Sequence, residues 1–335
     1  MTNFRSISVD AKSRTAWIGV GAVLGEVYYT VYQANNSLYF PGGSAPTVGV
    51  GGLVSGGGYG PFSRKYGLAA DQVIDARVID ANARILDRKG GNGASFGVVL
   101  SYKVNLVEIS PNFTAFNVSR TLEQNAIQLL HKWQFVAPRM PRDLSISAQF
   151  ATGSARFMAF FQGNVTTLLS LMEQYFPELG ITKEDCQEIR WVDNYAYQYE
   201  SSMEWTPFGG KMDEIPVSNI PFPHRAGTSF LVVNIASWNS RNATLAQRSI
   251  NWSRELYRII GKYIPNTPSN PRGAYVNYRD YDLGTNNRKG YTSVKQARVW
   301  GAHYFKSNFD RLVKVKTIVD PQNFFNFEQS IPPYR

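Results

Sequence analysis

Cys186 is the one thiol in the 335-residue chain, and His131, His224 and His303 are its three imidazoles. A single thiol forms no intrachain disulfide, and no cysteine pair or H-x-x-x-H spacing is present to hold zinc, so no metal centre is expected. Glycine gives the denser pattern, in the run Pro41-Gly-Gly-Ser-Ala-Pro-Thr-Val-Gly-Val-Gly-Gly-Leu-Val-Ser-Gly-Gly-Gly-Tyr-Gly60. Such a run either makes tight turns or lets bare backbone N–H groups approach a phosphate-bearing ligand. No Gly-Lys-Ser/Thr follows it, so it is not a P-loop. Gly19-x-Gly21-x-x-x-Gly25 resembles a dinucleotide fingerprint, but its last spacing is one residue too long and no acidic residue stands near Phe40. A Rossmann nicotinamide site is therefore disfavoured. Asp280 and Asp282 are read as turn chemistry, His224 as a packed or hydrogen-bonded turn residue, and Cys186 as a reduced thiol beside Asp185.

The elements that carry these residues follow from hydrophobic period. Residues 4–9 and 15–20 alternate around Ala11-Lys12-Ser13 as a β-hairpin, and 24–33 is a short helix ahead of the glycine run. Residues 73–79 and 98–106 are strands. Helices are expected at 121–133 and 165–175, with a hairpin of 144–150 and 155–162 between them. A strand at 229–237, a long amphipathic helix at 243–263 capped by Asn242, a strand at 274–278 and a last helix at 293–313 complete the chain. Strands interleaved with helices predict an α+β fold, an antiparallel sheet covered on one face.

Composition is that of a globular protein, with 43% hydrophobic and 18% charged residues. The 35 basic and 25 acidic side chains leave a net charge of +10. The basic residues are scattered, and Arg311-Leu-Val-Lys314-Val-Lys316 alternates like the solvated face of a strand, so no nucleic-acid partner is expected. Nor is a membrane partner, since no apolar stretch is long enough to span one. Six N-x-S/T sequons, at Asn35, Asn112, Asn117, Asn164, Asn242 and Asn251, lean toward the secretory route. The opening Met-Thr-Asn-Phe-Arg-Ser has no apolar core of a signal peptide, which conflicts with that lean unless the true N-terminus lies further upstream.

A more specific set of segments runs nearly the length of the chain. Pro46-Thr-Val-Gly-Val-Gly-Gly52, Ser55-Gly-Gly-Gly-Tyr-Gly60, Arg64-Lys-Tyr-Gly-Leu-Ala-Ala-Asp71, Asp75-Ala-Arg-Val-Ile-Asp-Ala-Asn82 and Gly93-Ala-Ser-Phe-Gly-Val-Val99 come first. Pro221-Phe-Pro-His-Arg-Ala-Gly227, Ala274-Tyr-Val-Asn-Tyr-Arg-Asp280, Arg311-Leu-Val-Lys-Val-Lys-Thr317, Asp320-Pro-Gln-Asn-Phe-Phe325 and Glu328-Gln-Ser-Ile-Pro-Pro333 follow in order. Together they resemble the berberine-bridge-enzyme-like flavoproteins of plants. The resemblance implies part of a vanillyl-alcohol-oxidase (PCMH-type) FAD-binding domain over 1–108, a substrate domain over 109–273 and a C-terminal segment, 274–335, returning to the flavin. It implies hydride transfer from an alcohol, sugar or alkaloid-like small molecule to FAD, with oxygen as the expected acceptor. Thr47, Val48, Ser55, Gly58, Tyr59, Gly97, Val99, Tyr275, Asn277 and Asn323 are implied to line the cofactor. A small valine at 48 would favour oxidase behaviour. A monomer, in the extracellular space or cell wall, is expected by family.

The chain departs from that family in four places. It begins after the Ser-Gly-Gly-His loop that binds and covalently anchors the flavin, and Ala45 replaces the second anchor, a cysteine, so any FAD is expected to be noncovalent. A short stretch containing Asp-Leu-Phe-Trp is missing where Arg88-Lys89 meets the glycines, and a longer one between Ser202 and Trp205. Relatives acting on alkaloids place a glutamate where this chain has Leu231, which cannot accept a proton. Tyr278 and Tyr59 are the remaining candidates for catalytic base. A phenol, with its ordinary pKa of ~10, needs a cationic neighbour for that role. An inactive, degenerate or mis-spliced family member is the alternative.

Overall fold

The computed structural model describes all residues except 2, 88–94, 152, 192–201, 237–242, 265, 268–270 and 335. The Asn242 cap and sequon, Arg88-Lys89, and Gly93-Ala94 of one family segment lie outside the described residues.

Two antiparallel sheets carry the architecture. The first has the order β1-β2-β6-β4-β5, from β1 (Ile7–Asp10), β2 (Thr15–Gly19), β4 (Val73–Ile79), β5 (Ile85–Asp87) and β6 (Val98–Asn105). A small pair, β3 (Leu38–Tyr39) and β7 (Val107–Glu108), sits beside it. Helix α1 (Leu24–Ala34) covers this sheet, burying Leu24, Val27, Tyr28 and Val31 at helical spacing against Ala16, Ile18, Val78 and Val104. The glycine run is not loop throughout. Val50–Gly56 forms helix α2, which buries Val50 and Val54 and ends in Gly57 and Gly58, both at positive φ.

The second sheet has six strands in the order β11-β8-β10-β9-β12-β13. These are β8 (Asn112–Thr121), β9 (Leu144–Ala151), β10 (Ser154–Phe161), β11 (Cys186–Arg190), β12 (Ser202–Pro207) and β13 (Phe230–Ile235). Alternation divides it cleanly. Leu144, Ile146 and Ala148 of β9 and Ala155, Phe157 and Ala159 of β10 pack under helices α4 (Ala126–Val136) and α5 (Val165–Tyr175). Their neighbours Ser145, Ser147, Gln149, Arg156, Met158 and Phe160 face the other way. The expected hairpin and the 165–175 helix are present, and of the strand expected over 229–237 the stretch Phe230–Ile235 forms, residue 237 lying outside the described residues.

Several expectations fail for physical reasons. Residues 112–121 are strand β8, and the helix expected from 121 begins at Ala126, after a turn through left-handed Asn125. Residues 274–278 are not a strand. Ala274 N–H donates to the His303 carbonyl and Tyr278 N–H to that of Tyr275, so this backbone is spent on a turn. The last helix is two: α8 (Val294–Phe305) and α9 (Asn308–Val319), broken at Lys306, whose φ is 45°. The fold-back brings Phe309 so close to Gly301 that a Cβ there would meet its ring at 2.2 Å. The Arg311–Lys316 stretch lies in α9, and Lys316 is wholly buried. Its ammonium donates to Asp320, to the Ser95 carbonyl and to that of Phe325, so this is a lock on the C-terminal segment, not a solvated strand face. Asp280 accepts from the Asp282 N–H and Asp282 pairs with Arg254, as turn chemistry requires. No group of three or more metal-ligating side chains is found among the described residues.

Candidate active site

The outward face of the second sheet and the glycine-rich segment enclose a cavity of about 800 Å³. One wall is Gly43 to Leu53 together with Tyr59. The floor is β9, β10, β12 and β13, through Gln149, Arg156, Met158, Glu204 and Val233. Tyr275, Asn277 and Tyr278 close the third side. The volume lies in the usual range for cofactor and substrate pockets.

The expected residues fall into three groups. Val48, Tyr59, Tyr275, Asn277 and Tyr278 line this cavity, and Thr47 is exposed beside Val48. Ser55 instead opens on a second cavity of about 190 Å³ and bonds the Tyr102 hydroxyl at 3.0 Å. Gly58 is buried behind Tyr59, its N–H donating to the Tyr275 hydroxyl at 3.0 Å. Gly97, Val99 and Asn323 line neither cavity. A Cβ on Gly97 would lie 2.8 Å from the Ile79 carbonyl, and Val99 packs in the first core. Asn323 takes a φ of 56°, and its buried Oδ1 has no partner among the described residues.

Bond by bond, the third side is rigid. Asn277 donates through Nδ2 to the Leu53 carbonyl (3.1 Å) and the Tyr275 hydroxyl (2.9 Å). Any side chain on Gly56 would strike Asn277, with a Cβ placed 2.1 Å from its Oδ1, which is why that position is bare. The hydroxyls of Tyr59 and Tyr278 bond at 2.7 Å. Burial first, and then the neighbouring Tyr278 hydroxyl, holds the Tyr59 phenol well above its ordinary range, and burial raises Tyr278 too. Arg279, the nearest cation in sequence, stacks on Phe327 at 4.2 Å. Both phenols are thus held neutral, without the cation a tyrosinate needs. His224 is buried, with Nε2 at 2.8 Å from the Ala274 carbonyl.

The residue the sequence reading passed over is Glu204. It sits in β12, in register with Gln149 on β9 and Val233 on β13, and burial raises its carboxyl above the usual range. Its signal was present as a lone acid at an alternating position of an otherwise uncharged stretch, Ser202-Met-Glu-Trp-Thr-Pro207. Without the register, nothing tied it to the glycine wall.

Residues 274–332 match the family described as berberine and berberine like, and residues 1–88 match the FAD binding domain family. A tetrahydroberberine oxidase of Argemone mexicana is 40% identical over the whole chain and 74% of its own length. The chain belongs to the berberine-bridge-enzyme-like family of FAD-linked oxidoreductases. That alignment runs to 406 positions against a 335-residue chain, so the relative carries internal segments absent here. The solved structure of BBE-like #28 from Arabidopsis thaliana superposes with a TM-score of 0.93 at 39% identity, covering all of this chain and 82% of that one. A Phl p 4 variant described as a glucose dehydrogenase gives 0.93 at 36% identity, covering 100% and 80%. The mixed α+β fold with antiparallel sheets is thus the family fold, and the family holds FAD-dependent oxidases and dehydrogenases.

The cavity wall fits a planar cofactor. A Cβ on Gly49 or Gly52 would meet nothing within 4 Å, so the backbone there presents a flat face with no side chain in the way. Ala45, Val48 and Leu53 complete an apolar surface suited to an aromatic ring.

Proposed function

We propose that this chain is a flavin-dependent oxidase of small hydroxylated molecules, with FAD held noncovalently against the Val48–Leu53 wall. The observation that carries the reading is the roughly 800 Å³ cavity, with bare glycine backbone on one wall and convergent polar groups opposite. FAD, when bound, supplies the hydride acceptor, and the protein supplies binding, orientation and charge. Val48, Gly49 and Gly52 would hold the ring system, and Asn277 with Tyr275 fixes the third side. Tyr59 and Tyr278, kept neutral, orient a ligand hydroxyl by donating and accepting hydrogen bonds. Thr47, Ser55, Gly58, Gly97, Val99 and Asn323 complete the proposed cofactor set by motif. Noncovalent binding is supported by a lining with neither histidine nor cysteine among the described residues, and with Ala45 where a thiol would stand. A small side chain at Val48 leaves room for oxygen.

The proposal extends to a monomeric, secreted glycoprotein acting on a small molecule, with neither nucleic acid nor membrane as partner. The sequon residues Asn35, Asn112, Asn117, Asn164 and Asn251 are all exposed. The domain limits near residues 108 and 273 belong to the same reading.

The test is the visible absorption spectrum of the purified chain after incubation with FAD and desalting. Flavin bands that remain, and that denaturant releases, support the reading. A colourless protein overturns it in favour of an inactive family member.

A further inference from the structure

Glu204 is the one carboxylate lining the large cavity among the described residues. It projects from β12 onto the cavity side of the sheet, with its strand partners Gln149 and Val233 on either hand. The titratable and charged groups facing it are Tyr59 after α2, Tyr275 and Tyr278 from the 275–278 turn, and Arg156, one strand beyond Gln149. None of these neutralises it: among the described residues no salt bridge to Glu204 is formed, and its charge reaches the two phenols, raising both Tyr59 and Tyr278. Glu204 is half-buried on the cavity lining, and a carboxylate so placed, with its ionisation disfavoured by desolvation, is a candidate for contact with a ligand. Glu204 is also diagonal to Leu231 on the adjoining strand, since Thr206 opposes Leu231 and Glu204 opposes Val233.

We propose that Glu204 is the proton acceptor of this site, taking the proton of a ligand hydroxyl held between its carboxylate and the hydroxyls of Tyr59 and Tyr278. The inference rests on the oxidoreductase reading above. The ligand O–H bond breaks, its electron pair stays on the ligand oxygen, and the proton forms a new O–H bond on the Glu204 carboxylate. FAD, when bound, would supply the acceptor for the hydride of the carbinol carbon, and the assignment to Glu204 concerns the proton alone. Burial favours the role, because a carboxylate whose ionisation is displaced upward is the stronger base.

The experiment uses 4-nitrophenol, a hydroxyl probe that cannot be oxidised at a carbinol carbon, with the full chain pre-incubated with FAD. Affinity is measured by equilibrium dialysis from acid to mildly alkaline pH. In the wild type it rises as Glu204 ionises and falls again as the probe itself ionises. In Glu204→Gln the rising limb disappears and affinity at the optimum drops about tenfold, the scale of a charge-assisted hydrogen bond. Glu204→Asp keeps the limb. 4-Nitroanisole, which lacks the proton, binds the wild type with no acid limb, a comparison that needs no variant to fold. An acid limb that persists in Glu204→Gln, or that appears with 4-nitroanisole, overturns the assignment. Loss of flavin on desalting is read separately and overturns the oxidoreductase reading.

Discussion

Arg225 grips Asp71 with both terminal nitrogens, at 2.6 and 2.9 Å, although the two residues are 154 positions apart and their side chains are only 0% and 5% exposed. The pair ties the Pro221–Gly227 turn to the 3-10 turn that follows the glycine-rich wall, where Asp71 also accepts the Leu68 N–H. Two segments that line the smaller cavity are therefore clamped by one buried contact. Removing one partner of such a pair leaves the other charged and dry. Arg225→Ala is expected to cost about 3–5 kcal/mol in urea unfolding. The double variant Arg225→Met with Asp71→Asn should recover part of that loss.

His224, beside Arg225, predicts an acid weakness. Burial is the main cause that lowers its pKa from 6.5 to about 4. Between those values the unfolded chain takes up a proton that the folded chain refuses, so stability falls as pH drops through this window and is level above it. The full loss is about 3 kcal/mol. Urea midpoints measured from pH 7 down to pH 4 should show it, and His224→Gln should flatten that slope.

Two glycines of the same run should answer oppositely. Gly52 lies in helix α2 with open space beyond it, so Gly52→Ala is expected to keep or raise stability by roughly 0.5–1 kcal/mol, while Gly52→Leu folds and loses flavin retention. Gly58, at a φ of 76° and with a Cβ position 2.8 Å from that of Ala69, should be destabilised even by alanine. Thermal melts paired with flavin absorbance separate the two effects.

Tyr278→Phe removes the hydroxyl partner of Tyr59 at the cavity mouth. A cost of about 1 kcal/mol is expected, with easier ionisation of Tyr59 in ultraviolet titration, since the Tyr278 hydroxyl helps to hold that phenol up. The acid limb of nitrophenol binding should survive this change. Its disappearance would mean that the phenols, and not Glu204, carry the proton.

Local pattern made much of this fold legible. The β1–β2 hairpin, α1, the β9–β10 hairpin and α5 follow from alternation or helical spacing within a few residues of the observed limits. What escaped depended on distant partners. Helix α2 hides in a run whose glycines disfavour helix, and it forms because Val50 and Val54 are buried against the first core. Lys316 looked like surface until Ser95 and Asp320 supplied its bonds. The cavity tyrosines and Asn277 were found through motif resemblance, whereas Glu204 required the strand register, which no single stretch of sequence encodes.

The two-sided second sheet has a consequence for how such a protein can change over evolutionary time. Substitutions at Ser145, Ser147, Gln149, Met158 or Val233 alter what the pocket accepts, while stability resides in the intervening Leu144, Ile146, Ala148, Phe157 and Ala159. Selection can therefore act on every second residue almost as a separate genotype. A single scaffold can then drift among chemically unrelated substrates without passing through unfolded ancestors.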